Sequence, residues 1–87
     1  MHDDAKLEAA LAVLKDVRTP QVGSFWRHVK TGGVYMVCGG AVWEATVEAA
    51  LAYRAADGVV WIRPVAEFTD GRFVPTRDPD NANAEGG

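Results

Sequence analysis

Apolar residues near the start of the chain recur every three or four positions, which is the spacing of one face of an α-helix. We predict a helix over residues 4–17, ended by Thr19-Pro20 because the residue before proline avoids the α region. The apolar stripe either packs against the protein's own core or forms a homodimer contact through this N-terminal helix. The stripe consists of Leu7, Ala10, Leu11, Leu14 and Val17.

After the helix the pattern changes to short runs rich in β-branched and aromatic residues, separated by glycine turns. The runs predicted as strands are residues 25–29, 34–38, 59–63 and 72–74. Gly32-Gly33, Asp57-Gly58 and Asp70-Gly71 predict tight turns, and Gly39-Gly40 predicts a bulge or a second turn.

Residues 42–56 carry conflicting signals. Their alanine content favours a helix. The Asp57-Gly58 turn, however, requires a strand before it as well as after it. We therefore predict a strand over about residues 49–56, although propensity alone indicates a helix.

These elements predict a mainly β fold with an N-terminal α-helix. The two candidate architectures are a small SH3-like barrel and a strongly bent antiparallel sheet. The predicted organisation is a helix over residues 1–20, a barrel-like β domain over 21–75 and a disordered tail over 76–87, where apolar periodicity ends.

Charge is distributed unevenly along the 87 residues. Residues 18–77 hold seven Lys and Arg against five Asp and Glu, whereas residues 1–17 and 78–87 carry net charges of −2 and −3. Acidic flanks disfavour a nucleic-acid partner, because phosphate binding depends on clustered positive charge. No apolar run is long enough to predict a membrane span, and the acidic N-terminus predicts no secretory signal. With a single cysteine, Cys38, the predicted location is the cytoplasm.

Several segments together resemble a known family. They are Gly23–Lys30, Val34–Val37, Thr46–Ala55, Val60–Phe68 and Gly71–Phe73. In this order they resemble the family catalogued as domain of unknown function 1653, small proteins of bacteria and their phages. The resemblance covers about residues 23–74 and implies a compact β-rich domain with a strand at Tyr53-Arg54, but no established activity. The N-terminal helix lies outside it, and Ala49-Ala50 stand where the family has bulkier residues.

Candidate catalytic groups are sparse. His28 needs an orienting carboxylate and a nucleophile to act as a general base. A reversal centred on Gly32-Gly33 places residue 28 opposite residue 37, so His28 and Cys38 are expected to come close. A nucleophilic cysteine also needs a lowered pKa, whereas a buried cysteine behaves as a small hydrophobe. We predict no metal site and no cofactor, because no ligand spacing or phosphate-binding loop is present.

The sequence favours a binding role over catalysis. We predict a binding module whose basic–aromatic face takes a peptide, a protein or a small anionic ligand, because arginine beside tryptophan offers stacking and a fork for anions. The alternatives are a small enzyme with a site centred on His28 and a weak nucleic-acid binder. In a purely structural interpretation, the aromatic residues form the core and the arginines pair with carboxylates such as Glu67 or Glu48. Alternation along a strand places Trp26, His28 and Lys30 on one side. A two-residue turn at Asp57-Gly58 pairs residue 54 with residue 61, which predicts that Arg54 and Trp61 share a face, with Arg63 as a further candidate. The predicted ligand-binding residues are Trp26, Arg27, His28, Lys30, Tyr53, Arg54, Trp61 and Arg63.

Overall fold

The computed structural model describes residues 4–79, and its centre is one antiparallel sheet of five strands. The order of strands across the sheet is β4-β3-β2-β1-β5. The strands are β1 (Phe25–His28), β2 (Val34–Trp43), β3 (Glu48–Ala55), β4 (Val60–Pro64) and β5 (Phe73–Thr76). The prediction of a mainly β fold is confirmed.

The sheet is open, with β4 at one edge and β5 at the other. Of the two predicted architectures the molecule therefore has the antiparallel sheet, not the closed barrel. The chain passes from β4 to β5 through a one-turn helix, α2 (Val65–Glu67), and a wide helical turn, Phe68–Arg72. This connection runs between the two edge strands, which do not pair with each other. Residues 80–87 of the predicted tail lie outside the described residues.

The predicted N-terminal helix is confirmed as α1 (Asp4–Lys15). Ala10 is buried in the core and Leu14 packs against it, whereas Leu11 and Val17 of the predicted stripe are exposed. The helix therefore packs on the protein's own sheet with only part of its apolar stripe. Among residues 4–79 no helix is long and apolar enough to cross a membrane.

β2 is longer than the predicted strand over residues 34–38. It continues past Gly39 and Gly40, and its pairing with β3 shifts register between Val37 and Gly39. This shift leaves Cys38 as the extra residue of a β-bulge. The bulge was one of the two structures predicted for this glycine pair.

The alanine-rich segment is a strand, as predicted from the turn that follows it. β3 buries Ala49, Ala50, Leu51 and Tyr53 between β2 and β4. Helical propensity is outweighed here because burial and pairing on both sides decide the conformation of a central strand.

The core lies on one side of the sheet, which we call the core face. Phe68 and Phe73 stack at 4.2 Å between ring centroids, and Tyr53 meets both rings edge-on at 5.3 and 5.4 Å. Ala10, Val37, Leu51 and Val65 complete this cluster. The opposite side, which we call the outer face, carries residues of the other parity, such as Phe25, Met36 and Arg54.

Candidate binding cleft

The eight predicted site residues do not share one face. β1 alternates as predicted, so Trp26 and His28 turn towards the core aromatics and Arg27 turns away. Trp26 packs edge-on against Phe68 at 5.5 Å, and Tyr53 is 5 % exposed. Both aromatic residues therefore contribute to the core, as the structural interpretation of the sequence expects.

Arg54 lies on the opposite face from Trp61 and Arg63, and the prediction that these three share a face is wrong. The pairing is Tyr53 with Trp61 and Arg54 with Val60. The loop between β3 and β4 has three residues, because the Ala55 N–H donates to the Val59 carbonyl at 3.1 Å. A two-residue turn was assumed, and a register shift of one residue exchanges the faces of a strand.

His28 and Cys38 are also not neighbours, contrary to the predicted register. Arg27 pairs with Val34, and the His28 N–H donates to the Gly33 carbonyl at 2.8 Å. The reversal is centred before Gly32-Gly33, so His28 lies opposite Gly33 and not near residue 37. Cys38 instead occupies the bulge of β2.

A cleft of about 700 Å³ opens at the end of the core face. The turn after β1 forms one wall, and the wide turn before β5 forms the other. Four of the lining side chains are basic or imidazole groups, and two of these, Lys30 and Arg72, come from the turns themselves. The lining residues are His28, Val29, Lys30, Arg63, Asp70, Gly71 and Arg72.

Arg63 is held in place by contacts on three sides. Its Nε donates to Tyr53 Oη at 3.3 Å, its Nη1 lies 3.4 Å from Glu67 Oε1, and its guanidinium carbon lies 5.8 Å from the centre of the Phe73 ring. The Tyr53 hydrogen bond is the main cause that raises the pKa of Arg63, and nearby acidic groups add to it against partial desolvation. Arg63 is therefore a fixed cation at the cleft wall.

Glu67 joins the two arginines of the cleft. Arg72 Nη1 lies 3.1 Å from Glu67 Oε1, the same oxygen that faces Arg63. Arg72 Nε also lies 3.0 Å from Asp70 Oδ2, and the Arg72 N–H donates to Asp70 Oδ1. The arginine–carboxylate pairing expected in the structural interpretation is thus present at Glu67.

The other wall of the cleft carries His28 and Lys30. His28 Nδ1 lies 2.9 Å from Thr31 Oγ1, and its ring centroid lies 4.9 Å from that of Phe73. Lys30 forms no ion pair with any of residues 4–79. The cleft therefore brings three cations, Lys30, Arg63 and Arg72, against the carboxylates of Glu67 and Asp70.

Sequence reasoning missed Arg72 and Asp70 as members of this site. The sequence predicts a turn at Asp70-Gly71, but only as the connection before the last strand and not as part of a site. Gly71 has φ +108°, a left-handed conformation that glycine adopts without strain. It lies between Asp70 and Arg72, whose side chains pair across the turn. The turn signal located this turn in the sequence but not its approach to Arg63.

The outer face has a second groove, of about 570 Å³, and it contains Arg54. Phe25, Val34, Met36 and Pro79 line it, so its surface is mostly apolar. Within residues 4–79, no three His, Cys, Asp or Glu side chains gather in a way that could hold a metal ion.

No family model, no curated protein and no solved structure matches the chain. The resemblance to domain of unknown function 1653 therefore stays a prediction from the sequence motifs.

Proposed function

We propose that this protein is a binding module that takes an anionic group in the cleft between the turn after β1 and the turn before β5. The group would be a carboxylate or a phosphate carried by a peptide, a protein or a small ligand. The observation that carries the proposal is the convergence of Lys30, Arg63 and Arg72, beside His28, on one open cleft.

The electrostatic balance of the cleft supports this proposal. Glu67 and Asp70 offset two of the three cations, which leaves one positive charge in excess. Lys30 is the cation without a partner among the described residues, so an incoming anion need not displace a carboxylate to reach it. Arg63 is already ordered by Tyr53 and Phe73, which lowers the entropy lost on binding.

The motifs that resemble domain of unknown function 1653 also converge on this cleft, which adds support. His28 and Lys30 belong to the first motif and Arg63 to the later Trp61-Ile62-Arg63-Pro64 motif, yet all three line the same cleft. Tyr53, from the motif between them, accepts a hydrogen bond from Arg63 at its hydroxyl oxygen. We infer that the resemblance reflects a shared binding site.

The geometry gives less support to a catalytic site centred on His28. Among residues 4–79 the side-chain hydrogen bond of His28 goes to the Thr31 hydroxyl and not to a carboxylate. A general base is normally oriented by such a carboxylate and placed beside a nucleophile. Cys38, the nucleophile considered from the sequence, lies elsewhere in β2.

The proposal is tested by NMR titration of the ¹⁵N-labelled protein with inorganic phosphate and, separately, with acetate. We expect the largest shift changes at His28, Lys30, Arg63 and Arg72. Lys30→Gln should weaken phosphate binding by about threefold to tenfold, because a charge-assisted contact is lost. Since Lys30 is exposed and unpaired among the described residues, this variant should keep the fold.

Arg54→Gln is the matched control, because it removes a cation from the outer face and leaves the cleft unchanged. Its phosphate affinity should equal that of the wild type. Shift changes concentrated around Arg54, or a Lys30→Gln variant that binds as well as wild type, would overturn the proposal.

A further inference from the structure

The edge strand β4 exposes apolar side chains on both of its faces. Relative exposure is 52 % for Val60, 54 % for Trp61 and 51 % for Ile62, and Val59, just before the strand, is 46 % exposed. Edge strands that face water are usually protected by charged residues, proline or a bulge. An unbroken apolar run is typical of a strand buried on both faces, inside a larger sheet.

The backbone of β4 also presents hydrogen-bonding groups to solvent. The Ala55 N–H donates to the Val59 carbonyl, so this carbonyl points towards β3. Because the direction alternates along an antiparallel strand, the backbone groups of Val60 and Ile62 point away from the sheet. Pro64 has the same outward parity, which suits a residue without an N–H. Within residues 4–79 no strand lies on this side of β4.

We propose that β4 is a homodimer interface, in which it pairs antiparallel with β4 of a second copy of the chain. A two-fold axis at Trp61 places Val60 of each copy opposite Ile62 of the other. The outward N–H and carbonyl groups of these two residues then satisfy each other across the interface. The two sheets become one continuous antiparallel sheet.

Self-complementarity is the reason to favour a second copy over another partner. With the axis at Trp61, the two Trp61 side chains face each other in a non-hydrogen-bonded pair, the position where cross-strand side chains lie closest. Such aromatic pairs stabilise sheets, and each ring is half exposed in the isolated chain. The same strand thus supplies both halves of a matched contact.

Charge complementarity at the ends of the paired strands supports the same arrangement. In this register Arg63 lies opposite Val59 of the second copy, beside the β3–β4 loop of that copy, which carries Asp57. Asp57 is exposed, and its carboxylate already accepts a hydrogen bond from the Val59 N–H at the start of the strand. Each end of the interface therefore places a cation near an anion.

The proposal is tested by sedimentation velocity of the full chain over a range of protein concentration. We expect a concentration-dependent dimer for the wild type. Trp61→Lys should weaken dimerisation by about tenfold or more, because it replaces a central aromatic contact with two like charges at the axis. Ile62→Pro should act in the same direction, because it removes an outward donor without breaking the ladder to β3.

Leu11→Lys is the control, since it makes the same kind of change on α1, where the sequence predicts an alternative homodimer contact. This variant should dimerise like the wild type. Hydrogen exchange provides a second readout: the Val60 and Ile62 amides should become more protected as wild-type concentration rises. A wild-type monomer at all concentrations, or a dimer lost in Leu11→Lys and kept in Trp61→Lys, would overturn the proposal.

Discussion

At the scale of single residues, Asp16 shows how one neighbour sets the chemistry of a carboxyl group just after α1. Arg18 lies beyond the end of α1 and places its Nη2 2.6 Å from Asp16 Oδ2. This side-chain hydrogen bond, helped by one from the Arg18 N–H, lowers the pKa of Asp16 from 3.8 to about 2. The same contact raises the pKa of Arg18.

We therefore predict that Arg18→Ala raises the pKa of Asp16 part of the way towards 3.8, because the backbone N–H remains as a donor. In the wild type, a lowered carboxyl pKa stabilises the folded state above pH 3.8, and this contribution is lost as pH falls through about 2. Carbon-detected NMR titration of the carboxyl group measures the pKa in both proteins. An unchanged value in the variant would show that Arg18 is not its cause.

Phe68 is the residue whose removal should cost the most stability. It is fully buried, stacks on Phe73 and meets the edges of Trp26 and Tyr53. Phe68→Ala should lower the free energy of unfolding by about 3–5 kcal/mol, because it leaves a cavity among these rings. Urea denaturation measures the loss. Val22→Ala, at a position 69 % exposed, is the control and should change stability little; equal losses would contradict this description of the core.

At the scale of elements, the contact between α1 and β2 depends on a glycine. A methyl group at Gly40 would lie 3.1 Å from Leu14 Cδ2, whereas one at Gly39 would meet nothing within 4 Å. Gly40→Ala should therefore destabilise the protein by about 1 kcal/mol, because Leu14 must move away from the sheet. Gly39→Ala should be neutral or stabilising by about 0.5 kcal/mol, since alanine loses less backbone entropy than glycine on folding.

Thermal or chemical denaturation of the two variants gives the comparison directly. Because these glycines are adjacent in one strand, differences in strand propensity largely cancel. Equal stabilities would mean that Leu14 does not pack over Gly40.

Elements were predictable from the sequence, whereas their registers were not. Alternation and turn residues located α1 and every strand, and the Asp57-Gly58 signal correctly made β3 a strand. Turn length decides register, however, and glycine pairs do not fix it. The observed β1–β2 pairing differs from the predicted pairing by an even number of residues. Trp26 and His28 therefore keep their predicted face, but His28 is not a neighbour of Cys38. The observed β3–β4 pairing differs from the predicted pairing by one residue, so Arg54 lies on the face opposite to Trp61.

Only part of the candidate cleft could be predicted from the sequence. His28, Lys30 and Arg63 were selected because basic and aromatic residues recur in the motifs. Arg72 joins them through the wide turn, which bends back beside Arg63 and Glu67. A sequence pattern contains no signal for that tertiary approach, since it depends on how the connection from β4 to β5 crosses the core.

At the scale of the whole molecule, charge separates a small-anion site from a nucleic-acid surface. The chain carries −3 overall, and the cleft holds an excess of one cation. A nucleic-acid interface commonly makes about 6–10 phosphate contacts and loses affinity steeply with salt. We predict no measurable binding of a duplex oligonucleotide at about 150 mM salt by fluorescence anisotropy, with phosphate binding kept in the same buffer. Tight and steeply salt-dependent duplex binding would favour the nucleic-acid alternative.

The proposed pairing of β4 makes the stability of the whole molecule depend on its concentration. Because only the folded chain forms the dimer, mass action should raise the thermal midpoint of the wild type by a few degrees for each tenfold increase in concentration. Trp61→Lys should have a midpoint that depends less on concentration than that of the wild type, while Leu11→Lys should follow the wild type. Differential scanning calorimetry at several concentrations measures all three proteins. A wild-type midpoint independent of concentration would contradict the pairing, since a monomer has no association equilibrium through which concentration could act.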